Sequence, residues 1–131
     1  MLPVKTLDVH PLERTVFVVD DDAAVLNSLR FALEVEGFRV QLYASDEALL
    51  REPTFPDTGC LVIDFRLPER DGLIALAALR ARGVRLPAIL ITSDPSPLTR
   101  RRAASAGVVI VEKPILGNGL IDTIRRATGT A

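Results

Sequence analysis

The sequence predicts a single α/β domain built on a doubly wound parallel sheet. Three observations predict it. Short apolar runs rich in β-branched residues, Thr-Val-Phe-Val-Val at 15–19 and Cys-Leu-Val-Ile at 60–63, read as strands buried on both faces of such a sheet. Segments whose apolar residues recur at helical spacing alternate with the strands, and no long structureless insert interrupts the series. The length, 131 residues, suits one domain with its own core.

Thr15 to Asp20 is predicted as strand one. Val25, Leu26, Leu29, Phe31, Ala32, Leu33 and Val35 then recur at helical spacing until Gly37 supplies a stop. Arg39 to Tyr43 alternates as strand two, with Tyr43 packing at its end. Ser45 is a good N-cap for a short second helix holding Ala48, Leu49 and Leu50, and Pro53 and Pro56 prevent its continuation. Strand three is Gly59 to Asp64. A polar loop through Pro68 and Gly72 leads into helix three, Leu73 to Arg82, whose Leu73, Leu76, Ala77 and Leu79 share one face before Gly83. Pro87 opens strand four, Ala88 to Thr92. Ser96 as cap and Pro97 in the first turn begin helix four, Pro97 to Ala106, with Arg100, Arg101 and Arg102 mostly exposed. Gly107 ends it, Val108 to Val111 is strand five, and helix five starts near Asn118 with Leu120, Ile121 and Ile124 as its buried face. Right-handed crossovers then put helices on both faces of the sheet, in either the 2-1-3-4-5 order or a Rossmann-like order.

Composition narrows the function. Lys plus Arg is 16 against 17 for Asp plus Glu, a net charge of -1, so the chain lacks the basic field that gathers nucleic acid. No direct nucleic-acid contact is expected, and Arg100 to Arg102, with no aromatic residue interleaved, reads as a solvated helix face. The single cysteine, Cys60, has no internal disulfide partner and reads as a buried core residue, which fits a reducing cytoplasm. No stretch approaches the roughly 20 apolar residues that a spanning helix needs, so no membrane segment is expected. Residues 1–14 read as a short mobile leader carrying the only histidine, His10, with a domain over 15–128 and a tail at 129–131 after it.

The chemistry gathers at one rim. Strand one runs into Asp20, Asp21 and Asp22, and strand three into Asp64, so carboxylates sit at the carboxyl ends of strands, where open α/β sheets bind ligands. Such a cluster of like charge calls for a divalent cation. Strand four ends in Thr92 and Ser93, and strand five near Lys113. Acids, a hydroxyl and one ammonium form a phosphoryl-handling set: metal and lysine neutralise phosphate oxygens, the hydroxyl donates, and Asp64 is placed as the nucleophile that becomes an acyl phosphate.

Plainer readings stand beside these. Asp22 is a good N-cap, Thr92 alone is a structural hydroxyl, Lys113 before Pro114 is a turn, Asp71 is a solvated acid, and Gly72 is a helix-entry glycine.

Val-Val-Asp-Asp-Asp at 18–22, Leu-Val-Ile-Asp-Phe-Arg-Leu-Pro-Glu-Arg-Asp-Gly at 61–72, Ile-Leu-Ile-Thr-Ser at 89–93 and Glu-Lys-Pro at 112–114 resemble the motifs of two-component response regulator receiver domains, most of all those of the nitrogen-fixation regulator type. The resemblance implies a flavodoxin-like three-layer sandwich in the order 2-1-3-4-5. It implies that Asp64 is the phosphoacceptor, that Asp20, Asp21, Asp64 and the backbone carbonyl of Arg66 hold Mg2+, that Thr92 is the switch hydroxyl and that Lys113 contacts the phosphoryl group. Asp22 and Arg66 are expected to pair across the mouth of the site and to modulate how long the phosphoryl group survives. The implied partners are a histidine kinase or phosphotransfer protein and a downstream protein or output domain, with a homodimer through helix four, strand five and helix five as a further expectation. The chain is then not an enzyme beyond slow self-dephosphorylation.

Two departures bear on mechanism. Ile110 stands three positions before the lysine, where receivers usually carry an aromatic residue. The stretch from Gly107 to Lys113 is also one residue short, and Gly117 and Gly119 give helix five a late start. These departures support an alternative reading, a receiver-like scaffold without phosphorylation-dependent output. A second alternative, a phosphohydrolase of the haloacid-dehalogenase type, would use Asp20 and leave Asp64 idle, and it meets Ala24 where that family has Thr or Val.

Overall fold

The computed structural model describes residues 15–115 and 117–129; the leader, His10 and the end of the tail lie outside the described residues. Five strands, β1 (Thr15–Val19), β2 (Arg39–Tyr43), β3 (Cys60–Asp64), β4 (Ala88–Thr92) and β5 (Val109–Glu112), form one parallel sheet in the order β2-β1-β3-β4-β5. Helices α1 (Ala23–Val35), α2 (Asp46–Leu50), α3 (Gly72–Ala81), α4 (Pro97–Ser105) and α5 (Gly119–Thr128) alternate with them. The sheet order is thereby settled in favour of 2-1-3-4-5.

The period of two along each central strand divides the core into two layers. Val16, Val18, Cys60, Val62, Ile89 and Ile91 face a layer formed by Leu26, Leu29 and Leu33 of α1 and Leu120, Ile121 and Ile124 of α5. Phe17, Val19, Leu61, Ile63 and Leu90 face the other, with Leu49 of α2, Leu73, Leu76 and Leu79 of α3 and Ala103 of α4. β1, β3 and β4 are buried along their whole length, as continuous apolar runs require, whereas the edge strands β2 and β5 are partly exposed. Cys60 is fully buried and unpaired.

Helix ends obey local chemistry. The carboxylate of Asp22 caps α1, the hydroxyls of Ser45 and Ser96 cap α2 and α4, and Asp71 caps α3. Asn118 precedes α5 without a side-chain cap bond. Boundaries differ from expectation by one residue in several places: α3 begins at Gly72, and β5 runs Val109–Glu112. Phe31 and Val35, expected on the apolar repeat of α1, are 72% and 66% exposed. The buried stripe is Leu26, Leu29 and Leu33, and Phe31 and Val35 each lie two residues beyond a stripe position, about 200° around the helix. Among the described residues no helix is long and apolar enough to cross a membrane.

Candidate functional site

β1 lies between β2 and β3, with Val19 paired to both Tyr43 and Ile63, so the turn after β1 opens beside the end of β3. The Asp20 backbone N–H still donates to the Tyr43 carbonyl at 3.1 Å, which fixes the residue at the sheet edge. Its carboxylate is 1% exposed: Oδ1 accepts from the Asp22 N–H at 2.9 Å and Oδ2 from Lys113 Nζ at 3.2 Å. Asp64, the last residue of β3, is 5% exposed, and its Oδ1 lies 3.3 Å from the same Nζ. Lys113 reaches the site because its backbone N–H donates to the Thr92 carbonyl at 3.0 Å, one step past the Thr92–Glu112 register pair. The Lys113–Pro114 peptide is cis. A cleft of about 560 Å³ between α1 and the turn after β5, lined by Asp22, Val25, Ser93 and Lys113 among others, opens over this rim.

The electrostatics are unbalanced. Burial, and then the negative charge of Asp20, push the Asp64 carboxyl up to about 6, against the opposing pull of Lys113 and the Arg66 backbone N–H. For Lys113, burial alone disfavours the ammonium, but Asp64 and Asp20 together outweigh it and hold the group above its ordinary value. Carboxylate oxygens of Asp20, Asp21 and Asp64 all lie within 4.8 Å of one another. Three acids facing one ammonium leave an excess negative charge that a divalent cation would offset, and an oxygen-only donor set suits a hard cation such as Mg2+. The donor set therefore fits the ion that the sequence predicts.

Adding MgCl2 is expected to raise Tm, with a stabilisation of about 2.7 kcal/mol at a hundredfold excess over Kd. Calorimetry with Asp20→Asn should show most of that shift lost. An equal shift in the variant would place the ion elsewhere.

With this geometry in view, comparison with known proteins is decisive: a match to the response regulator receiver domain covers residues 16–125. The chain belongs to the response regulator receiver domain family. It is 36% identical over 115 residues to the transcriptional regulatory protein FixJ of Rhizobium meliloti, covering 87% of this chain and 56% of that protein. It is 33% identical to the response regulator protein TmoT of Ectopseudomonas mendocina over 116 residues, 88% of this chain and 53% of that protein. The crystal structure of FixJ-N superposes with a TM-score of 0.77 at 35% identity, covering 89% of this chain and 94% of that one. Full-length FixJ from B. japonicum superposes at 0.79 with 32% identity, covering 88% of this chain and 57% of that one. The receiver thus spans about half the length of the curated relatives it matches.

Most of the site residues expected from the sequence meet in the receiver. Asp20, Asp21, Asp64 and Lys113 converge. Thr92 is buried at the adjoining strand end, where its hydroxyl donates to the Ser93 carbonyl at 3.4 Å. Asp22 does not pair with Arg66: its Oδ1 accepts the N–H groups of Ala24 and Val25 at 2.9 and 3.4 Å, and the Arg66 side chain is exposed. The helix-cap reading prevails there because orphan N–H groups at the start of α1 lie within reach of a residue two positions away. Ile110 is half-buried and packs in the α2–α3–α4 layer of the core. Tyr43 donates from its hydroxyl to Glu52 at 2.6 Å.

Asp71 is no mere solvated acid. It caps α3 and pairs with Arg102 at 3.0 Å. Gly72 does more than open a helix: a Cβ there would sit 2.4 Å from the Asp64 carbonyl oxygen, so α3 packs on β3 only because the side chain is missing. Sequence reasoning also passed over Asp46. Its side chain is fully buried, accepting the Glu69 N–H at 3.1 Å and the Arg70 guanidinium at 2.7 Å, and so pins the β3–α3 loop that carries Arg66. No local pattern marks this role, because its partners lie 23 and 24 positions away in the chain. Asp46→Ala is expected to destabilise by about 2 kcal/mol, because the Glu69 N–H and the Arg70 guanidinium both lose the buried carboxylate that holds them. Urea titration would show the shift in midpoint; an unchanged midpoint would mean the loop is held by other contacts.

Proposed function

We propose that this receiver is a phosphoryl-accepting switch of a two-component phosphorelay. The observation that carries the reading is the single ammonium of Lys113 shared by two buried acids, Asp20 at 3.2 Å and Asp64 at 3.3 Å. An Asp64 oxygen attacks the phosphorus of a phosphohistidine on a histidine kinase or phosphotransfer protein. An O–P bond forms while the P–N bond breaks, its electron pair leaving with the imidazole nitrogen. Lys113, freed from the Asp64 oxygen, neutralises a phosphoryl oxygen, and the Thr92 hydroxyl turns from the Ser93 carbonyl to donate to another. Asp20, Asp21, Asp64 and the Arg66 backbone carbonyl would hold Mg2+, which supplies charge neutralisation at the phosphoryl oxygens when bound. The added charge then biases a surface read by a downstream protein or output domain, and α4, β5 and α5, where Leu98 and Val109 are more than half exposed, present the apolar part of that surface. The same surface would serve a homodimer. A cytoplasmic location accords with a reduced Cys60. The chain is not an enzyme beyond slow self-dephosphorylation.

Incubation with Mg2+ and acetyl phosphate is expected to add one phosphoryl mass, absent in Asp64→Ala; retention of that mass in the variant would overturn the assignment. The scaffold reading draws on Ile110, and it requires equal partner affinity before and after beryllofluoride treatment. The phosphohydrolase reading has less support, since Asp64 shares Lys113 rather than standing idle. Its mark would be steady ester turnover lost in Asp20→Asn and kept in Asp64→Asn.

A further inference from the structure

The loop after the acceptor is held from both sides by arginine–aspartate pairs. On the α2 side, Arg70 and the Glu69 N–H bond to Asp46, whose side chain is 0% exposed. On the α4 side, Arg102 reaches Asp71 through both nitrogens, Nη1 to Oδ2 at 3.0 Å and Nη2 to Oδ1 at 3.1 Å, a bidentate fork. The same guanidinium lies 5.9 Å from the centroid of the Phe65 ring. Phe65 is the residue bonded to Asp64, and its carbonyl accepts the Gly72 N–H at 2.8 Å. One side chain of α4 therefore touches both the neighbour of the acceptor and the cap of α3.

The two holds are unequal. Their acids differ in burial: the Asp46 side chain is 0% exposed and that of Asp71 23%, while the two arginines are alike at 37% and 34%. α4 is itself lightly seated: only Thr99 and Ala103 of its residues are buried, against five residues of α3 and four of α5. An element with so few buried contacts is the one that yields when the acceptor end of β3 changes.

We propose that Arg102 is the positioning residue through which α4 reads the state of Asp64, by way of Phe65 and Asp71; this rests on the phosphoacceptor reading. Loading of Asp64 displaces the 65–71 loop, and the fork carries that displacement into the lightly seated α4. Ile110, aliphatic and half-buried against the core, takes no part.

Hydrogen exchange on the whole chain with Mg2+ and beryllofluoride tests this, with fluorine NMR reporting how much beryllofluoride is bound. The wild type should change protection in both the 60–72 segment and α4. Arg102→Ala and Asp71→Ser, the latter keeping a capping hydroxyl for α3, should load to the same extent while the α4 change falls at least twofold. Arg102→Lys, a point charge without the fork, should not restore it. The double variant should be no worse than either single, as expected for two halves of one contact. A full α4 response in both single variants, or a loaded wild type with α4 unchanged, overturns the role of Arg102 alone. A wild type that binds no beryllofluoride overturns the phosphoacceptor reading instead.

Discussion

Asp64→Asn is expected to stabilise the metal-free receiver at neutral pH while abolishing phosphoryl uptake. The Asp64 carboxyl is pushed up to about 6 by burial and by Asp20, so the folded state holds its proton more tightly than the unfolded chain does. The stability it contributes in the protonated form is complete below the ordinary carboxylate range and is lost as pH rises toward 6. Asparagine carries no such loss. The variant and the wild type should therefore unfold alike near pH 4, diverge between pH 4 and 6, and differ by about 1 to 2 kcal/mol above it, allowing for partial screening. Saturating Mg2+ should reverse the order, because an ion held at this acidic cluster would draw on the Asp64 carboxylate, and asparagine supplies one charge fewer. By the same linkage, Mg2+ affinity in the wild type should weaken as pH falls through 6, where protons compete for Asp64. Thermal unfolding across this pH range, with Mg2+ or with chelator, checks all of it; a variant less stable than wild type at pH 8 in chelator would refute the charge-crowding account.

Gly72→Ala is expected to be among the most damaging single methyl additions in the domain. The new Cβ would meet the Asp64 carbonyl oxygen at 2.4 Å, Ile63 Cγ2 at 3.0 Å and Leu90 Cδ1 at 3.1 Å. The backbone oxygen cannot move without shifting β3, so overpacking on the order of 3 kcal/mol should result. Phosphoryl uptake should fall with it, because the displaced atom belongs to Asp64. Gly83→Ala separates steric from conformational causes: at φ +90° with open space around it, that glycine is needed only for its backbone, and about 1 kcal/mol is expected. Chemical denaturation of both variants, with acetyl phosphate labelling, tests this. Equal and small losses would show that α3 shifts away from β3 at little cost.

Much of the fold was legible because burial imposes a period on the chain. Thr15–Val19, Cys60–Asp64 and Ala88–Thr92 are continuous apolar runs and prove to be the three central strands. The acids after β1 and at the end of β3, together with Thr92 and Lys113, were locatable for the same reason: in a parallel sheet every strand delivers its carboxyl end to one rim. Phe31 and Val35 misled because apolar residues lie on more than one face of α1, and the sequence does not say which face meets the core.

What the sequence by itself determined, then, is the order of elements, the class of sheet and the side chains offered at its rim. The strand order was open on periodicity alone, and tertiary pairing closed it by placing β1 between β2 and β3. Only the tertiary structure decided the partners of the charged groups. Asp22 turned to its own helix, Lys113 came to bridge Asp20 and Asp64, and Asp46–Arg70 and Asp71–Arg102 formed across separations of 24 and 31 positions. The reason is physical. Burial repeats along an element and leaves a pattern in the sequence, whereas a charge on a flexible stem chooses its partner from whatever packing brings within about 4 Å.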